Sequence, residues 1–288
     1  MKHIIVIPVF NDWKSLNKLL LQLNKNLEKQ KKINHEILII NDNSSEKIKL
    51  KLKKLKILKN IKILSLNKNF GSQISIAIGL NYLKKIKGNF YITVMDADGE
   101  DNPRQVNRML KEAINNQSLV ITSNRKKRKE ALIIVFLYKV HLLITFLFTM
   151  KWISFGNFST FCSKNLKNLL SNNNSLYAHS SSVLKNCNIK RLYAKREKRF
   201  FDKSKLGLIA LADHSLRVNS VFYRNIIFSS VIYSILILLL IEPHCSYLLL
   251  SPILIFNFFI FLVKVKFYNL KLNKFSVHIR DIKSFKTA

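Results

Sequence analysis

Acidic residues are scarce in this chain: 16 Asp and Glu stand against 49 Lys and Arg in 288 residues, a formal charge of +33. That balance calls for an anionic partner, either nucleic acid, anionic lipid or a phosphorylated substrate. Much of the excess is Lys interleaved with Asn and Ile, as a biased codon composition produces, so part of it carries no function. No nucleic-acid-binding motif accompanies the charge, which sets that class aside. Cysteine is also scarce. Cys162, Cys187 and Cys245 show no Cys-x-x-Cys spacing and no obvious pairing, so they read as reduced thiols of a cytoplasmic protein. The first ten residues carry an apolar run too short for a signal peptide, and no cleavage site.

Against this basic background one stretch reverses sign. Residues 91–103 open with a short apolar run, read as a buried strand, and end in Asp96, Asp98, Glu100 and Asp101. Acids at i and i+2 of an extended segment share a side. At the carboxyl end of a strand in an open α/β sheet they stand where ligands bind, and hard cations such as Mg²⁺ and Mn²⁺ prefer their oxygens. The same residues also read as a solvated acidic turn capping the following helix.

Around this stretch, strands and helices alternate. Residues 3–10, 36–40, 61–66, 89–95 and 118–123 read as strands, the first continuous in β-branched residues. Helices are expected over 13–27, with Asp12 as N-cap, over 47–59, from Gly71-Ser72 to about 87, and over 103–115. Free amides at the Gly71-Ser72 start suit a phosphate or an ordinary cap. The pattern implies a mainly parallel α/β sheet with right-handed crossovers.

After Asn124 the character changes. A basic run, 125–129, precedes an apolar stretch, 131–150, that carries Lys139 and His141. A charge there disfavours a spanning helix, so an interfacial helix on anionic headgroups is expected, with a buried core helix as the alternative. Residues 165–188 are weakly patterned and 190–205 form a second basic block. Residues 226–241 and 247–263 are two apolar runs separated by a short turn without Lys or Arg, whereas Lys264, Lys266, Lys271, Lys274 and Arg280 follow the second. They read as a transmembrane hairpin at 221–264, with Arg224 snorkelling, both ends and the N-terminal domain on the cytoplasmic side, and 265–288 as a basic cytoplasmic tail. A re-entrant hairpin is the alternative.

The motifs, in their order, resemble those of family 2 glycosyltransferases, and within them the polyprenyl-phosphate group that includes dolichol-phosphate mannose synthases and bacterial undecaprenyl-phosphate enzymes. Ile-Pro-Val-Phe-Asn at 7–11 is similar to the family's opening strand and turn, and Ile-Asn-Asp-Asn-Ser-Ser at 40–45 to its Val-Asp-Asp-Gly-Ser-Thr. Asn-Phe-Gly at 69–71 resembles its phosphate-side turn. Met-Asp-Ala-Asp-Gly-Glu-Asp-Asn-Pro at 95–103 resembles its Met-Asp-Ala-Asp-Leu-Gln-Asp-Pro-Pro, and Ser-Asn-Arg at 123–125 its Gly-Ser-Arg. Arg196, Arg199, Phe200, Ser204 and Lys205 fall on its second basic motif.

The resemblance implies a GT-A fold, a Rossmann-like and mainly parallel α/β catalytic domain over 1–215, followed by the hairpin. It implies inverting sugar transfer from a UDP- or GDP-linked donor to a polyprenyl phosphate at the cytoplasmic membrane, with Mg²⁺ or Mn²⁺. Pro8, Asp42, Asn69, Gly71 and Asp96 would bind the nucleotide. Asp96, Asp98 and Glu100 would bind metal, Asp98 first among them. Asp98, Arg125 and Arg199 would be catalytic, and Arg125, Arg196, Arg199, Ser204 and Lys205 would grip the lipid phosphate. A homo-oligomer is compatible with all of this. Three departures stand out: Asn41 for the first Asp of its pair, Asn157 for Asp in Gly-Asp-Phe, and Asp202 for Gly. Transfer to a sugar hydroxyl and a membrane-anchored pseudoenzyme therefore stay open. The Gln-x-x-Arg-Trp motif of processive synthases is absent, and the apolar segments are too few for a secretion channel.

Overall fold

A computed structural model of the chain describes residues 1–125, 132–195, 197–201 and 207–287. These fall into two compact units. One draws on Met1–Arg128, Phe155–Ser204 and Lys271–Ala288, the other on Lys129–Ser154 and Lys205–Leu270.

The first unit is built on an eight-stranded sheet: β1 (Lys2–Val9), β2 (Asn34–Asn41), β3 (Leu58–Leu66), β4 (Tyr91–Val94), β5 (Leu119–Arg125), β6 (Phe155–Cys162), β7 (Asn188–Ala194) and β8 (Ile279–Lys286). The order across it is β7, β5, β6, β4, β1, β2, β3, β8. Strands β1 to β4 run parallel to their neighbours among themselves, as β5 does to β7. Strand β6 is antiparallel to β4 and β5, and β8 to β3. The expected GT-A architecture is thus present, a mostly parallel sheet with an antiparallel insert.

Helix α1 (Trp13–Leu27) buries Leu16, Leu19, Leu20, Leu23 and Leu27 on the sheet, as their spacing dictates. Asp12 precedes it, but no side-chain cap forms. Helix α2 (Ser72–Leu83) is apolar nearly all round. Its Gly79 lies so close to Ile40 and Val6 that a Cβ there would crowd both. Helix α3 (Gln105–Asn115) packs Val106, Met109, Leu110 and Ala113. Pro8 sits in the central strand without harm. Alternate residues of a parallel strand bond to opposite neighbours, and Pro8 turns its missing N–H toward β4, whose pairing with β1 ends at Val6–Val94.

Two expectations are corrected here. No helix forms over 47–59. Asn17 and Asn24, two turns apart on α1, instead capture that segment's backbone. Asn17 donates to Lys49 O (2.6 Å) and accepts from Lys51 N (2.8 Å), while Asn24 accepts from Ile57 N (2.8 Å). Tertiary hydrogen bonds thus override the helical Lys/Leu pattern. Residues 265–288 are not a free tail either, because β8 pairs with β3 along seven residues from Asn60 to Leu66 and covers the sheet's edge.

The second unit is helical: α4 (Leu132–Thr149), α7 (Leu208–Ser220), α8 (Tyr223–Leu240) and α9 (Pro243–Tyr268). Between the units in sequence, the short helices α5 (Leu166–Leu169) and α6 (His179–Asn186) belong to the sheet unit. Helix α4 therefore belongs to the helical unit rather than to the 1–215 domain expected from the sequence. It packs on the hairpin helices, with Phe148 against Tyr233 (5.6 Å) and Phe256 (4.8 Å), and exposes Ile133, Phe136, Leu143 and Met150 nearby. Helices α8 and α9 are long and apolar enough to cross a membrane, with mean hydropathy 1.8 and 2.3. At 1.5 Å per residue they span about 27 and 39 Å. Tyr223 and Lys264 meet at one end (4.4 Å), which gathers Arg224 and Lys264 away from the connecting turn.

Candidate active site

The loops that follow β1, β2, β3 and β4 gather at the carboxyl ends of those strands. Asn11, with φ of 48°, turns the chain out of β1. Its side-chain oxygen accepts from Ser45 Oγ and Glu46 N, both at 3.2 Å, tying the first loop to the second. Within the second loop, Asn41 Oδ1 accepts from Ser44 N (3.0 Å). An Asp could also accept there, so the change at 41 leaves this brace intact.

Asp42 is buried, and its carboxylate spans the third loop. Oδ1 accepts from Phe70 N and Oδ2 from Gly71 N, each at 2.8 Å. Burial pushes its pKa up, and the two amides pull it back. Asn69 Oδ1 also accepts from Gly71 N (3.1 Å), and Gly71 has φ of 83°, which favours glycine. Asp42 and Asn69, both expected at the nucleotide, meet at the Gly71 amide, and the amides of Phe70 and Gly71 are turned to Asp42.

The acidic loop braces itself. Asp101 Oδ2 accepts from Asp96 N (3.2 Å) and Asp98 Oδ1 from Glu100 N (3.0 Å). Helix α3 receives no side-chain cap from these acids, and Arg104 N is held by Asn102 instead (2.9 Å). The capping explanation of the cluster therefore fails. Residues 197–201 lie against the loop. Phe200 N donates to Asp98 O (2.9 Å) and Glu197 N to Glu100 O (3.1 Å). Arg199 Nη2 meets Asp98 Oδ2 at 2.6 Å, and its Nε lies 3.8 Å from Glu100 Oε1. Gly99, with φ of 85°, lies under the Phe200 ring, where a Cβ would collide with it. Lys18 of α1 lies over the Phe200 ring (4.7 Å), and Lys14 over that of Phe201 (4.2 Å).

Of the residues singled out from sequence, Asp96, Asp98, Glu100 and Arg199 are thus brought together. Arg125 ends β5. Arg196, Ser204 and Lys205 lie outside the described residues. Among the described residues no three His, Cys, Asp or Glu side chains converge as a metal cluster. The donors still fit a hard divalent cation in kind, being carboxylate oxygens of one loop, and the Arg199 guanidinium already places a positive charge against two of them. Two residues tied to the site had no motif to announce them: Gln73 and His179. Gln73 and His179 are buried, and a hydrogen bond ties each toward the loop through Asn157. Asn102 pairs with Glu197 (2.9 Å).

The family model for glycosyl transferase family 2 matches residues 4–169. The chain belongs to the family 2 glycosyltransferases. It is 30% identical over 131 residues to Bacillus subtilis (strain 168) "Uncharacterized glycosyltransferase YkcC", covering 45% of this chain and 39% of that one. It is 31% identical over 127 residues to Synechocystis sp. (strain ATCC 27184 / PCC 6803 / Kazusa) "Uncharacterized glycosyltransferase sll0501", covering 44% and 38%. The match thus spans about two-fifths of each relative. Among solved structures, glucosyl-3-phosphoglycerate synthase from Mycobacterium tuberculosis, in complex with Mn²⁺, UDP-glucose and phosphoglyceric acid, shares the fold. Its TM-score is 0.51 at 11% identity, covering 78% of this chain and 79% of that one.

Proposed function

We propose that the protein transfers a sugar, with inversion, from a UDP- or GDP-linked donor to a polyprenyl phosphate at the cytoplasmic face of a membrane. The observation that carries this reading is the acidic loop after β4, with Arg199 set on Asp98 and Glu100. Asp96, Asp98 and Glu100 would hold Mg²⁺ or Mn²⁺, and a divalent cation bound there would neutralise charge on the leaving nucleoside diphosphate. Arg199 would turn from Asp98 to the phosphates of donor or acceptor, where a planar guanidinium binds two oxygens at once. Arg125, Arg196, Ser204 and Lys205 would complete the phosphate grip, and Pro8, Asp42, Asn69 and Gly71 would shape the nucleotide side.

The chemistry at 157 supports a phosphate acceptor. Asn157 is an amide bonded on both sides, so residue 157 supplies no base. A phosphate monoester, with a second pKa of about 6, is largely ionised at neutral pH and needs none. A sugar hydroxyl without a base would lose roughly 10²–10⁴ in rate. The two long apolar helices support a multi-pass membrane location, and the basic residues beyond them support cytoplasmic ends.

The test is an assay of the full chain in detergent with undecaprenyl phosphate, Mn²⁺ or Mg²⁺, and radiolabelled UDP- and GDP-sugars. Label from one donor should enter the organic phase and be lost with EDTA. Label on a glycan hydroxyl acceptor alone, or nucleotide binding without turnover on any acceptor, overturns the phosphate acceptor or the enzyme reading, respectively.

A further inference from the structure

Beyond α9, Leu272, Phe275 and His278 stand three positions apart. Leu272–His278 folds as a 3₁₀ segment, and at three residues per turn that spacing sets the three side chains in one row. Leu272 and Phe275 are buried, and Leu272 N donates to Asn173 Oδ1 (3.1 Å), which seats the segment. The row meets the loop after β3. The Phe70 ring lies 5.2 Å from Phe275 at 76° and 5.0 Å from the His278 ring at 59°, distances at which aromatic edges attract faces. His278 also ties the first residue of that loop. Asn67 N donates to His278 O (3.0 Å), and His278 Nδ1 donates to Asn67 Oδ1 (3.2 Å), because an amide oxygen only accepts.

The 67–71 loop is therefore held by two separate parts of the sequence. Asp42 takes the backbone N–H groups of Phe70 and Gly71, whereas Phe275 and His278 take the Phe70 ring and Asn67. We propose that Phe275 and His278 are positioning residues of the donor site, which keep the 67–71 loop in its nucleotide-binding conformation. A segment that follows the apolar hairpin, with His278 lying 211 residues beyond Asn67, thus sets donor affinity. That this loop serves a nucleotide-sugar rests on the transferase reading above. Both residues act through Phe70 and Asn67 rather than on the acidic loop. They strengthen donor binding equally in ground and transition states, so their loss raises the donor KM and spares kcat. If the unclamped loop holds its binding shape about a tenth of the time, the apparent Kd rises about tenfold.

The experiment uses the full chain in detergent, with UDP and GDP as probes in Mn²⁺ or Mg²⁺ and binding read by titration calorimetry. The variants are His278→Ala, Phe275→Leu, Phe70→Leu and the double variant Phe70→Leu/Phe275→Leu. His278→Ala leaves the backbone bond to Asn67 and the β8 pairing in place, so it decides the matter if Phe275→Leu fails to fold. In His278→Ala and Phe275→Leu, amide exchange across 67–71 without nucleotide should quicken, as mass spectrometry would show. Their affinity for the nucleotide that wild type binds should fall about tenfold, with donor KM rising alike and kcat within about twofold of wild type. In the Phe70→Leu background, Phe275→Leu should add almost no further loss, because the shared contact is already gone. Wild-type exchange in both single variants, unchanged nucleotide affinity, a fall in kcat at constant KM, or additive losses in the double variant each overturns the proposal. Should wild type bind a nucleotide yet transfer no sugar, the transferase reading falls, while exchange and affinity still decide the clamp.

Discussion

Asp98 is held by Glu100 N on one oxygen and by Arg199 on the other, so it enters the site already oriented. Replacing Asp98 with Ala should lower sugar transfer by roughly 10²–10³-fold, the cost of one lost electrostatic contact in a closed site. Thermal stability and detergent-extracted yield should stay near wild type. Gly99 makes a different point. Its left-handed φ and the Phe200 ring above it leave no room for a side chain. Gly99→Ala should destabilise by about 1–3 kcal/mol and loosen residues 197–201, read as a lower chemical-denaturation midpoint. The acids were legible because four of them interrupt a basic sequence. The role of Phe200 was not, since contact between residues 99 and 200 exists only after folding.

At the scale of elements, the informative cases are segments whose own pattern lost to a neighbour. Residues 47–59 carry seven Lys, with Leu and Ile between them, and alone they would read as a helix. Two Asn side chains on α1 turn their backbone outward into an extended strap. Changing both Asn17 and Asn24 to Ala should raise amide exchange across 49–57 while leaving β2 and β3 protected, as mass spectrometry would show. At the other margin, β8 hides the open edge of β3. Removing residues 271–288 should expose that edge and produce concentration-dependent aggregation, measured by light scattering.

For the whole molecule, the buried histidines set the response to acid. His3 Nδ1 meets His35 Nδ1 at 3.0 Å, and His3 Nε2 meets Thr93 Oγ1 at 2.8 Å, so a polar row crosses β2, β1 and β4 inside the sheet. Burial lowers His3 well below its usual range, with His35 nearby adding to the effect, and lowers His35 and His179 to about 4. Unfolded, each would titrate near 6.5. Between those values the unfolded chain binds more protons than the folded one, so stability falls as pH drops through that window. The midpoint in urea should decline steadily from about pH 6.5 to about pH 4. His3→Gln paired with His35→Gln should flatten part of that decline.

Some features of this protein follow from the order of residues alone. Apolar runs ending in polar turns define the parallel strands, and the acidic reversal after β4 marks the candidate site. Two long apolar segments separated by a turn without Lys or Arg define the helical hairpin, because hydrophobic period and length act locally along the chain. The rest depended on packing between distant residues. Strand β8 had to find β3 across more than two hundred positions, α4 had to leave the sheet for the hairpin, and Arg199 had to reach Asp98. Asn157 shows the division most clearly. In sequence it is a missing carboxylate, whereas in the fold it is the donor to Asp96. A hydrogen bond's direction is decided by the partners that folding assembles, and no local pattern encodes them.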